Sequence, residues 1–110
     1  NAKATFGADA DLQIFHDGSQ SVIKDNGTGQ LLISGENTIA LTNASATENY
    51  ARFIKDGAVE LFHNNSKKIE TTSSGVTVTG NIAVSGTVDG VDIATLATES
   101  FATAIAVALG

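Results

Sequence analysis

The two histidines, His16 and His63, are the side chains best suited to chemistry, and they stand 47 residues apart in two similar stretches. Leu12, Ile14, Phe15, His16, Ser19 and Val22 map onto Val59, Leu61, Phe62, His63, Ser66 and Ile69 at that one offset. In an assembly of three copies, one imidazole from each chain could meet on the symmetry axis, and three nitrogens are a reasonable start for a metal site. A His-x-His pair, which would bring six nitrogens, is absent. A histidine that ends a strand and hydrogen-bonds into the next turn needs no metal. The chain is therefore read as binding none, with His16 and His63 as the axial candidates.

The acids are weighed in the same way. Asp9, Asp11, Asp17 and Asp25 lie near glycines, as in calcium loops, but the Asp-x-Asp/Asn-x-Asp/Asn-Gly run with its later Glu is missing. Short acids beside Gly otherwise cap turns, the role assigned here. Glu60 and Glu70, with Glu36 and Glu48, supply carboxylates for glycoside hydrolysis. That reaction needs a cleft, one carboxyl held protonated and aromatic rings for the sugar; the chain has no Trp and one Tyr. Gly27-Thr-Gly29 lacks the Lys-Ser/Thr and the helix of a phosphate loop. Ser66-Lys67, or Ser21 with His16, would pair a nucleophile with a base, yet no acid is placed to orient the base. No catalytic residue and no cofactor are assigned, and the chain is read as a non-enzyme.

These residues must be positioned by short strands. Leu12, Ile14 and His16 alternate with Gln13, Phe15 and Asp17, the period of a strand. Asp17-Gly18 is a hairpin signal, and Ser21–Lys24 returns. After the turn cluster Asp25–Gly29, the spacing predicts strands over Leu31–Ile33 and Thr38–Thr42. Arg52-Phe-Ile54, Val59–His63, Lys68–Thr71, Val76–Thr79 and Ile82–Ser85 follow, separated by Lys55-Asp56-Gly57, Asn64-Asn65, Ser73-Ser-Gly75 and Gly80. The organisation read from this is a first β unit over 1–42, a linker loop over 43–49 and a second β unit over 50–90. Residues 91–110 change character. They are rich in Ala, Thr98 suits an N-cap with Glu99 behind it, and Phe101, Ile105 and Leu109 make a narrow stripe. A short C-terminal helix at a symmetry axis is expected there.

Composition limits what such a chain can do. Of 110 residues, 16% are charged and 5% aromatic, and there is no Cys, Met, Pro or Trp. The 42% hydrophobic content comes mainly from Ala, Val, Ile and Leu, without the large rings that anchor a monomeric core. A net charge of −6 with six basic residues excludes a nucleic-acid binder, which needs clustered Lys and Arg. No apolar run is long enough to span a membrane, and no signal peptide is visible. Without an initiating Met, the chain is expected to be a processed product or an excerpt of a longer protein. Lone short strands would leave edges unpaired and apolar faces half covered. Three copies can cover them, with Ile14, Leu31, Leu61, Val76, Val78, Ile82 and Val84, then Phe101, Ile105 and Leu109, packed in the trimer core. The fold class expected is all-β: a repetitive short-strand fibre, as a trimeric β-prism or intertwined β-helix, with the short C-terminal helix. A single-chain sandwich also fits the alternation.

The blocks Asp11–Ser19, Ile23-Lys-Asp25, Gly29-Gln-Leu31, Gly57–Phe62, Asn65–Thr72 and Gly75-Val-Thr-Val-Thr-Gly80 resemble a segment that recurs in structural proteins of marine tailed phages, especially those of cyanobacteria. The resemblance covers most of residues 6–86, and Leu96–Phe101 resembles helical segments of phage tail-fibre proteins. His63-Asn64-Asn65 departs from that pattern, which has an aromatic followed by Asp or Asn. The resemblance implies a homotrimeric, extracellular virion appendage such as a tail fibre, acting as a spacer in host attachment. Its implied partners are its own copies, other virion proteins and host-surface glycans, with no nucleic acid and no membrane insertion. A carbohydrate-binding adhesion module and a polysaccharide-degrading spike are the alternatives.

Overall fold

A computed structural model describes residues 2–89 of the chain. The fold is all-β and antiparallel, with eight strands and no helix among the described residues. Strands β1 (Lys3–Phe6), β2 (Leu12–His16) and β3 (Ser21–Asp25) form one sheet in that order. Strands β4 (Thr38–Thr42), β5 (Asn49–Ile54), β6 (Val59–His63), β7 (Ser66–Thr72) and β8 (Gly75–Val78) form a second, also in sequence order. Both are meanders, the topology that short turns between alternating strands impose. Among the described residues no strand of one sheet packs on the other, so these strands do not form a sandwich. The chain's extents are 78 × 33 × 31 Å, with a radius of gyration of 22.8 Å, against about 13 Å for a compact domain of this length.

Turn chemistry fixes the hairpins. Asp17 accepts hydrogen bonds at Oδ1 from the Ser19 and Gln20 amides (2.9 and 2.7 Å), and Gly18 supplies a φ of 98°. Asn64 and Asn65 both adopt left-handed backbone, with φ of 49° and 61°, the pairing that a two-residue hairpin turn requires. Residues 43–49 do not link two units. Residues 43–48 form the loop of the β4–β5 hairpin and Asn49 opens β5, with Asn43 Oδ1 accepting from the Thr47 and Glu48 amides at 2.9 and 3.0 Å. Thr38–Thr42 is thereby paired with the second sheet, although the sequence reading placed it in the first unit. The break between sheets falls before it.

Two predicted strands do not form in the chain. Leu31–Ile33 and Ile82–Ser85 lie outside any ladder. Alternation supplies a strand's side-chain pattern; a ladder also needs a backbone partner, and none of the described residues provides one.

The 47-residue repeat is more complete than the histidine blocks indicate, and less regular. Its first strand also repeats: Lys3-Ala-Thr-Phe6 returns as Tyr50-Ala-Arg-Phe53, and β1 meets β2 in the same register as β5 meets β6. The return strand slips. In the first sheet Ile14 faces Ile23 and Phe15 faces Val22; in the second Leu61 faces Ile69, after a bulge at Leu61/Phe62. The structural counterpart of Ile69 is thus Ile23 and not Val22, because a one-residue slip exchanges the two faces of a strand.

Candidate functional site

Register assigns every strand residue to a face, and the second sheet is divided sharply. On one face lie Ile39 and Leu41, Ala51 and Phe53, Val59 and Leu61, Ile69, and Val76 and Val78, five strands across without a charge. The opposite face carries Arg52, Glu60, Lys67 and Glu70. Among the described residues only Ala51 and Glu60 are buried, at 7% and 8% exposure, one at the centre of each face. Leu41, Phe53, Leu61 and Val76 are all exposed. At the β4 margin, Leu31, Leu32 and Ile33 join Ile39, Leu41 and Phe53 around a shallow apolar depression. The first sheet is less sharply divided: Phe6, Leu12, Ile14 and Ile23 share one face with Asp25, and Phe15 and Val22 lie on the other with Lys3 and Lys24.

The charged face is closed on itself. Glu60 and Glu70 are direct cross-strand neighbours, a repulsive placement relieved by Lys67, whose Nζ donates to Glu70 Oε2 at 2.6 Å and Glu60 Oε2 at 3.2 Å. Arg52 Nη1 donates to Glu60 Oε1 at 3.3 Å. The bonds from Lys67 to Glu70 first, and Glu60 second, hold its ammonium above the usual lysine pKa. Both oxygens of Glu60 are thus engaged by cations. Of the other acids weighed for glycoside hydrolysis, Glu36 pairs loosely with Lys55 at 3.8 Å, and Glu48 enters the Asn43 loop through its amide.

The remaining candidates fall in turns and strand ends. His16 ends β2, and its Nδ1 lies 3.2 Å from Ser21 Oγ across the ladder. His63 ends β6 opposite Ser66 in the other sheet. No carboxylate hydrogen-bonds the His16 ring among the described residues, and these contain no group of three or more His, Cys, Asp or Glu arranged to hold a metal. Asp17 and Asp25 cap turns, the latter by accepting from the Gly27 amide at 3.1 Å. The two amide bonds from Gln20 and Ser19 lower the Asp17 pKa. Asp9, Asp11 and Asp25 edge an open depression with Asn26–Thr28. Gly7, beside Asp11, adopts a φ of 91°, left-handed backbone that favours glycine. Gly27-Thr-Gly29 lies in a loop with no helix behind it.

Of the residues expected in a trimer core, Leu61, Val76 and Val78 are brought together on the one apolar face, Leu31 lies at its margin, and Ile14 is on the corresponding face of the first sheet. Ile82 and Val84 are exposed and lie outside both sheets. Phe101, Ile105 and Leu109, with the expected helix over 91–110, lie outside the described residues. The alternation pattern did not single out Ile39, Leu41, Ala51, Phe53, Val59 and Ile69, which complete the apolar face. The β1–β5 repeat carried the signal for Phe53. No helix among the described residues is long and apolar enough to cross a membrane. No family model matches the chain, and no curated protein or solved structure matches it either.

Proposed function

We propose that the chain is a structural segment of a phage tail fibre or similar virion appendage, a homotrimeric spacer contributing to host-surface attachment. The observation that carries the assembly part of this reading is the charge-free face of the second sheet, open to solvent while the opposite face is neutralised by its own ion pairs. A contiguous apolar patch of this kind marks an interaction surface. Burying a side chain such as Leu61 or Phe53 is worth roughly 1.5–3 kcal/mol, stabilisation that the single chain forgoes. Copies of the chain meeting through these faces recover it, and an elongated body with repeated units suits a stiff connector. The phage assignment rests on the sequence blocks quoted above. Attachment then works through other virion proteins and weak contacts to host-surface glycans, multiplied by copy number.

Sedimentation equilibrium of the purified chain at low micromolar concentration tests the assembly: the mass expected is three times that of one chain. A compact, cooperatively unfolding monomer overturns the proposal.

A further inference from the structure

The second sheet holds a template for a segment of the first unit that joins neither sheet. Ile23 is the counterpart of Ile69, and at the same offset of 46 residues Gly29 matches Gly75, while Gln30-Leu31-Leu32-Ile33 stands where Val76-Thr77-Val78-Thr79 stands. Both glycines have a positive φ, 96° and 155°. In the second sheet Ser73-Ser74 makes the turn. β8 then returns along β7 with Val76 opposite Thr71, Thr77 opposite Glu70 and Val78 opposite Ile69. In the first unit Gly27-Thr28 occupies the turn, yet the return is not made. Residues 29–34 make no backbone–backbone hydrogen bond among the described residues, and Leu32 and Ile33 are 75% and 65% exposed. The outer side of β3 carries no strand among the described residues either. The exit from β3 gives the reason. Asn26 donates its amide to the Asp11 carbonyl at 2.6 Å, and Gly27 lies so close to Asp11 that a side chain there would meet the Asp11 Cβ at 3.0 Å. The chain thus leaves β3 on the β2 side, away from the outer edge of β3.

We propose that, in the trimer, residues 30–33 of each copy add to the outer edge of β3 of the next copy, antiparallel and in the register of β8 on β7. An open strand edge takes up an extended segment through backbone hydrogen bonds. The register places Gln30 opposite Asp25, Leu31 opposite Lys24 and Leu32 opposite Ile23. Ile33 donates to Val22 as the Thr79 amide donates to the Lys68 carbonyl at 2.8 Å. The faces match. Leu32 extends the row of Ile14 and Ile23, Leu31 and Ile33 extend that of Phe15 and Val22, and Gln30 brings an amide beside the Asp25 carboxylate. The move also lifts Leu31, Leu32 and Ile33 from the margin of the second sheet. That uncovers Ile39, Leu41 and Phe53 for the face that the copies share under the proposed function. The contact joins two different surfaces of the chain, and three such contacts close into a ring about a three-fold axis. This rests on the trimer reading and adds to it the strand exchange that links neighbours.

The chain has no Cys, so introduced thiols report the pairing. Ile23→Cys/Leu32→Cys, oxidised and separated under denaturing, non-reducing conditions, is expected to give covalent dimers and trimers. They should exceed by at least ten-fold those from Ile23→Cys/Leu31→Cys, whose thiols lie on opposite faces. In the unsubstituted chain the amides of Leu31 and Ile33 are expected to exchange at least ten-fold more slowly than in a free peptide. The Leu32 amide, turned away from β3, stays fast, since hydrogen-bonded and free positions alternate along an edge strand. A trimeric mass without excess interchain disulfide, whether the thiols join within one chain or not at all, overturns the exchange and leaves the trimer reading standing. Free exchange at Leu31 and Ile33 in a trimer does the same. A monomeric mass of the unsubstituted chain overturns both.

Discussion

Glu60 binds two cations at once, and that decides what its face can do. At 8% exposure its carboxylate would be costly to bury alone, but Arg52 and Lys67 each satisfy one oxygen. Removing the charge in Glu60→Gln strands both cations and leaves poorer hydrogen bonds, so a loss on the order of 1–3 kcal/mol is expected in urea unfolding at pH 7. Lys67 adds a pH signature. Its folded pKa is raised, so its contribution is fully present below the ordinary lysine value of about 10.4 and fades as pH rises through the higher folded value. Asp17 behaves in the opposite sense. Its folded pKa is lowered by the Gln20 and Ser19 amides, so its contribution is present above about pH 3.9 and is lost as pH falls through the lower folded value. In Asp17→Asn, thermal unfolding followed between pH 2 and 6 is expected to lose that acid-side component. An unchanged profile would mean that the turn does not depend on the carboxylate.

Turns set which face each strand presents, and the β6–β7 turn tests this at the scale of an element. Asn64 and Asn65 share left-handed backbone, but only Asn65 has a second duty: its Oδ1 accepts the Asn49 amide at 2.9 Å, tying the turn to the start of β5. Asn64→Gly is therefore expected to be neutral or slightly stabilising, and Asn65→Gly to cost about 0.5–1.5 kcal/mol through the lost bond. Equal effects of the two, measured by thermal unfolding, would count against a role for that bond. The same elements show what could be read in advance. The β2–β3 and β6–β7 hairpins were legible because alternation and Asp-Gly or Asn-Asn turns agree there. β1 was missed: Lys3-Ala-Thr-Phe6 has one large apolar residue, and its strand state comes from β2 beside it. The histidine blocks were legible as a repeat, yet a bulge at Leu61/Phe62 makes Ile69 the counterpart of Ile23, and no residue pattern announces such a slip. Leu31–Ile33 and Ile82–Ser85 look like strands by sequence because side-chain pattern is local, whereas a ladder partner is not. The turn-capping role of Asp17 and Asp25 was legible, since it needs only neighbouring amides. The Arg52–Glu60–Lys67–Glu70 cluster was not, because it depends on cross-strand register.

At the scale of the whole molecule, the question is what makes a 110-residue chain with two buried side chains among its described residues persist. The apolar face of the second sheet spans five strands, about 20–25 Å at a strand spacing of about 4.8 Å. A face that size, a few residues deep, falls short of the roughly 800 Å² that one partner gives to a typical stable interface, so the proposed assembly would also draw on Phe6, Leu12, Ile14 and Ile23 of the first sheet. This predicts assembly that depends on the face and not on net charge. Val76 and Thr77 are adjacent on β8 and point to opposite faces. Val76→Asp would place an unpaired carboxylate within the proposed joined faces, at roughly 3–5 kcal/mol, which corresponds to an association constant lower by about two to four orders of magnitude. Thr77→Asp adds the same charge beside Glu70 on the open side, where repulsion is screened by water. Sedimentation at low micromolar concentration is expected to show Val76→Asp shifted toward monomer while Thr77→Asp keeps the parent mass. If both variants dissociate alike, bulk charge governs assembly; if neither does, the copies meet somewhere other than this face.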